Sequence, residues 1–145
     1  QKFRPHITFA VFDSELPVEK FIESFKTATK DFSQINVNFN VLSTFPPAVV
    51  FSAPTVTSHL FETHRQFYKE LKIYHKFANE LYFPECWIPH CTFAIGLNKD
   101  SLLRTFEHCL NQFQPFDGQI TEIGIVKIEF VDGIHSSKTI FAKRL

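Results

Sequence analysis

The 145-residue chain has no methionine, no surplus of charge of either sign, no apolar run of transmembrane length and no glycine- or serine-rich linker. Each absence excludes something. Fifteen Lys and Arg stand against fifteen Asp and Glu, so no net field draws the chain onto long duplex nucleic acid or an anionic membrane, and any phosphate contact has to be local. Without a signal-peptide pattern or a membrane-length segment, the sequence reads as that of a soluble, cytoplasmic protein. Cys86, Cys91 and Cys109 are odd in number and follow no CxxC spacing, which argues against a disulfide framework and for a reducing compartment. Without a linker or low-complexity tract, residues 1–145 are expected to form a single domain, monomeric, whose parts pack as lobes. The missing methionine, with the first motif only a few residues after Gln1, makes the N-terminus read as a cut edge.

What is present is ordinary globular material, 44% hydrophobic and 21% charged, enough to bury about two-thirds of the unfolded surface. Nineteen phenylalanines recur at helical and strand spacings, and core packing is their first use. Residues 4–12 read as a strand. Residues 17–32 read as a helix with Val18, Phe21, Ile22, Phe25 and Ala28 on one face and Pro17 in the first turn. In QINVNFNVLSTF, Ile35, Val37, Phe39 and Val41 alternate with Asn36, Asn38 and Asn40, a strand with one buried face. Pro46-Pro47 breaks it, and residues 48–53 form the next strand. A helical segment over 58–74 leads into a strand over 88–96. Then come a helix carrying Leu102, Leu103, Phe106, Cys109, Leu110 and Phe113, a long β stretch over 119–131, a turn at Asp132-Gly133 and a last strand over 138–145.

The element order strand, helix, strand, strand thus appears twice, and so does a motif. Pro5-His6-Ile7-Thr8-Phe9-Ala10-Val11 and Pro89-His90-Cys91-Thr92-Phe93-Ala94-Ile95 agree at five of seven positions. On a strand, residues two apart share a face, so His6 projects with Thr8 and His90 with Thr92. Two imidazoles and two hydroxyls around a small polar space suit one phosphate. Histidine titrates near neutrality, so one can take a proton from the attacking oxygen while the other gives one to the leaving oxygen. The threonine hydroxyls can donate to the non-bridging oxygens as they gain charge. This chemistry asks for no cofactor and no metal. A zinc reading of Cys86, His90 and Cys91 lacks a second cluster and leaves Thr92 unexplained.

At these residues the chain resembles the two-histidine phosphoesterase superfamily, which includes 2′-5′ RNA ligase-like proteins and 2′,3′-cyclic phosphodiesterases. The family's paired His-x-Thr/Ser motifs, roughly eighty residues apart, are matched by His6-Ile7-Thr8 and His90-Cys91-Thr92. A lone His-x-Thr would mean nothing; the shared Pro-His-x-Thr-Phe-Ala context makes the pair specific. The resemblance implies an α+β, bilobal, pseudo-twofold fold, with two antiparallel-rich sheets and outer helices around a central cleft. Lobe one would span about residues 1–57 and lobe two about 58–145, with an upstream strand and helix of the family missing from lobe one. The motif strands are expected at the centre of the architecture, beside the groove.

The resemblance also implies a hydrolase acting on 2′,3′-cyclic phosphate or 2′-5′ linkages of RNA ends or small nucleotides, with reversible ligase activity as an option. A nucleotide-binding module without turnover and a 2′-5′ oligoadenylate-degrading enzyme are the alternatives. Which histidine is acid and which is base stays open. A short substrate, a nucleotide or a short RNA, suits the near-neutral chain as partner, with no membrane and no long duplex nucleic acid expected. Tyr82, Phe83 and Trp87, just before the second motif, are candidates for stacking on a base. His59, His64, His75, His108 and His135 have no partner at ligand spacing and read as surface or packing residues.

Overall fold

A computed structural model describes residues 4–131 and 134–145; the turn expected at Asp132-Gly133 lies outside them. The fold is α+β, as expected, with helices α1 (Val18–Ala28), α2 (Ser58–Glu70) and α3 (Lys99–Gln112). Strands β1 (Ile35–Phe45), β2 (Val49–Pro54), β3 (Cys91–Ile95) and β4 (Phe116–Ile120) form an antiparallel sheet in the order β3-β2-β1-β4. Strands β5 (Glu122–Val131) and β6 (Ile134–Arg144) form an antiparallel pair. The four-stranded sheet takes β1 and β2 from before residue 57 and β3 and β4 from after it. Its strands therefore do not follow the halves of the chain.

Helix α2 shows how the pattern becomes structure. Thr57 accepts the Leu60 amide at its N-terminus, and Leu60, Thr63, His64, Phe67 and Tyr68 are buried at the i, i+3, i+4 spacing of one helical face. That face serves two cores. Leu60 packs with Ile35, Val37 and Phe39 of β1, and with Trp87 and Cys91. Two turns on, Phe67, Tyr68 and Leu71 pack with Phe21 and Phe25 of α1, backed by Ile123, Ile125 and Phe141 of the β5–β6 pair. Each such side chain contributes on the order of 2 kcal/mol by leaving water. Phe9 and Tyr82 touch both clusters.

Helix α1 stops at Ala28 instead of reaching residue 32. Thr29 donates to the Phe25 carbonyl, and the Lys143 ammonium of β6 donates to the Thr29 and Lys30 carbonyls, satisfying the helix end with a cation. The segment over 58–74 is α-helical only to Glu70 and tightens into a 3₁₀ turn over Lys72–Phe77. In β5, Gly124 lies so close to β6 that an added Cβ would meet the Phe141 carbonyl at 2.7 Å.

The structure corrects four further expectations. Val41 is 46% exposed, because a bulge between Phe39 and Val41 shifts the register and turns it outward. The β stretch over 119–131 is two strands in different sheets: β4 pairs with β1, β5 with β6, and the chain crosses between them at Thr121. Strand β3 lies at a sheet edge, not at the centre. Residues 4–11 belong to no strand; the segment joins the fold through an isolated bridge from Phe12 to Ala78 and through hydrogen bonds to its carbonyls from elsewhere in the chain.

His64 is the most deeply placed polar ring, with no exposed surface. Burial lowers its pKa from 6.5 to about 4, against the pull of the Phe9 carbonyl, the Glu85 carboxylate and the Tyr82 carbonyl. A histidine whose folded pKa lies below its unfolded value binds fewer protons when folded, so its contribution is whole above pH 6.5 and is lost as pH falls toward 4. Chemical denaturation across that window should therefore show stability falling by on the order of 3 kcal/mol from this residue. The ring resonance of His64 should titrate near pH 4, and titration near 6.5 would refute the assignment.

Candidate active site

The two Pro-His-x-Thr motifs place their histidines by the same local device. In each, proline follows a residue that it forces out of the helical region: Arg4 before Pro5, Ile88 before Pro89. The carbonyl of that residue accepts from the imidazole two positions on. His6 Nδ1 lies 2.8 Å from the Arg4 oxygen and His90 Nδ1 lies 2.7 Å from the Ile88 oxygen. A carbonyl can only accept, so Nδ1 carries the proton in both rings and Nε2 is the nitrogen that gains or gives one.

The surroundings of the two motifs differ. His90 is half-buried just ahead of β3, its ring edge-on to Phe45 at 5.0 Å and tilted against Phe51 at 5.2 Å. Thr92 is exposed on β3 and pairs with Phe51 of β2 across the ladder. His6 is exposed on the strand-free segment, beside Arg4, whose guanidinium forms an ion pair with Glu122 of β5. Thr8 is half-buried, and its carbonyl accepts from Trp87 Nε1 at 2.9 Å. Phe9, the next residue, accepts from His64 Nε2 at 3.0 Å. These bonds, with Ile7 and Phe9 packed among Trp87 and Cys91, bring the two motif segments together.

The structure places the three stacking candidates against packing residues, Trp87 buried and Tyr82 and Phe83 half-buried. Trp87 is 8% exposed, and its ring lies parallel to His64 at 3.7 Å, with Phe9 edge-on at 5.3 Å. It has no open face for a base. Phe83 packs on Tyr68 and His75, each at 5.3 Å, and half-buried Tyr82 touches both cores. Sequence reasoning missed Phe45 and Phe51, the rings that actually flank His90, because their placement depends on the pairing of β2 with β1 and β3. Of the other histidines, His64 is core, His75 donates to the Tyr68 carbonyl, His59 meets Ser33 and His108 meets Gln112 at the surface. The side chain of His135 lies outside those described. Cys86 is exposed while Cys91 is buried, and no metal-holding group of three His, Cys, Asp or Glu is found among the described residues. No described helix is long and apolar enough to cross a membrane.

Comparison with known proteins agrees with the family resemblance. The family model of the 2′-5′ RNA ligase superfamily matches residues 1–130. A crystal structure of a phosphoesterase has the same fold, with a TM-score of 0.69 at 13% identity over 98% of this chain and 77% of that one. No curated protein matches.

Free neutral imidazole favours the proton on Nε2, so the paired carbonyl anchors have a direct signature. Long-range ¹H–¹⁵N spectra above the titration range should show His6 and His90 both as Nδ1–H tautomers; an Nε2–H tautomer at either would contradict the anchoring.

Proposed function

The chain belongs to the 2′-5′ RNA ligase superfamily, and on that premise we propose that it is a metal-independent phosphoesterase that opens 2′,3′-cyclic phosphates or cleaves 2′-5′ linkages on small nucleotides or RNA ends. The observation that carries this reading is the matched pair of Nδ1 anchors, which presents Nε2 of both His6 and His90 for proton transfer. In hydrolysis of a cyclic phosphate, one imidazole takes a proton from water as its oxygen bonds to phosphorus. The other, entering as imidazolium, gives a proton to the ribose oxygen as its bond to phosphorus breaks. The product is a phosphomonoester beside a free hydroxyl, and the two histidines have exchanged protonation states. Thr8 and Thr92 donate to the non-bridging oxygens. The balanced charge of the chain supports a short substrate, met by local contacts.

A nucleotide-binding module of the same fold would need no acid and base of matched geometry, and kinetics separates the two. His6→Ala or His90→Ala should lower kcat by roughly 10²- to 10⁴-fold on 2′,3′-cyclic nucleotides, and the double variant should cost much less than the product of the two. Thr8→Ala and Thr92→Ala should cost less, roughly ten- to a thousandfold. kcat/KM should follow a bell in pH and be indifferent to EDTA. Nucleotide binding without turnover of cyclic or 2′-5′-linked substrates, or full activity in His6→Ala, would move the assignment to the binding module.

A further inference from the structure

We propose that the stacked pair His64 and Trp87 is the positioning device of the site: by holding the Phe9 and Thr8 carbonyls it sets where His6 and Thr8 stand against His90 and Thr92. The inference rests on the phosphoesterase reading of those four residues. Residues 4–11 are in no strand, and main-chain pairing meets the segment at its far end, where the Asn79 amide donates to the Val11 carbonyl beside the Phe12–Ala78 bridge. Two successive carbonyls within the motif are held instead by ring N–H donors, Thr8 by Trp87 at 2.9 Å and Phe9 by His64 at 3.0 Å. The donors come from two different parts of the chain. His64 is in the middle of α2, and Trp87 is three residues ahead of His90.

The pair is built to be stiff. The rings are parallel within 1° at 3.7 Å, and the Phe9 ring stands edge-on to both, at 5.2 Å from His64 and 5.3 Å from Trp87. The main chain beneath the indole is pinned by the Cys86 and Trp87 amides, which both donate to the Phe83 carbonyl at 2.8 Å. With both rings buried, a lost donor leaves a carbonyl without its partner, and the segment has to shift to find another. His64 and Trp87 touch neither phosphate nor the reacting atoms in this arrangement; they act through the backbone. A misplacement of about 1 Å between groups that must act together costs on the order of a hundredfold in rate.

The test uses Trp87→Phe, which keeps a ring on His64 but removes the donor to Thr8, and the pair His64→Gln and His64→Leu, of which only glutamine can donate to Phe9. Below the Tm of each folded variant, Trp87→Phe should lower kcat on a 2′,3′-cyclic nucleotide by roughly 10- to 100-fold, with KM within about threefold, and glutamine should restore at least about tenfold over leucine. Wild-type kcat in Trp87→Phe, or equal loss in the two His64 variants, overturns the inference; the His64 pair decides it if Trp87→Phe does not fold. A wild type that turns nothing over defeats the phosphoesterase reading instead. Positioning is then read from histidine ring shifts under inorganic phosphate. His6 and His90 should follow one isotherm in the wild type, and His6 should lose its response in Trp87→Phe. A His6 response unchanged between the two proteins overturns the inference.

Discussion

The contact between His64 and Trp87 is where the core and the candidate site become the same interaction. Burying an imidazole and an indole is tolerable only if their N–H groups are satisfied, and the carbonyls of Thr8 and Phe9 satisfy them. The dependence runs the other way as well. The first motif segment has no neighbouring strand, so its carbonyls need donors, and the core supplies them from two buried rings. Loss of either partner would unsettle both the hydrophobic clusters and the position of His6. The lowered pKa of His64 belongs to the same arrangement, because a ring packed this tightly cannot readily take up charge.

The two halves of the site look symmetric at the histidines and are unequal beneath them. Both rings are tied by Nδ1 to the carbonyl two residues back, and both ties follow from the proline between. Below that level, the second motif continues into β3 and is held by main-chain pairing to β2, with Phe45 and Phe51 against the His90 ring. The first motif is held by side chains at its centre, with main-chain bonds between Val11 and Asn79 and between Asp13 and Phe77 at its end. A ladder holds its register by many bonds, whereas the Thr8 and Phe9 carbonyls each depend on a single ring donor. The arrangement of His6 is therefore the more sensitive to single substitutions.

Much of the fold is legible in local periodicity. The apolar stripe of α2, the alternation of Ile35, Val37 and Phe39, and the outer helices follow from spacing alone, because burial of one face imposes a period of 3.6 or 2 on any chain. Legibility ends where partners are chosen. Nothing in residues 119–131 says that the first part pairs with β1 and the rest with β6, and nothing near Val41 announces the bulge that turns it outward. The aromatic group Tyr82, Phe83 and Trp87 looks the same from sequence whether it faces a base or a core. Only the arrival of α2 beside it decides for the core.

By itself, the sequence determined the things that depend on neighbours in the chain: helical and strand periods, the proline that orients each motif carbonyl, and the pairing of imidazole with hydroxyl two residues on. Tertiary structure alone decided what holds the first motif in place. His64 reaches Phe9 across 55 residues and Trp87 reaches Thr8 across 79. Contacts at such separations leave no trace in local pattern, because a buried donor and its acceptor need only meet in space, and many pairings of the same residue types would satisfy the same physical demand.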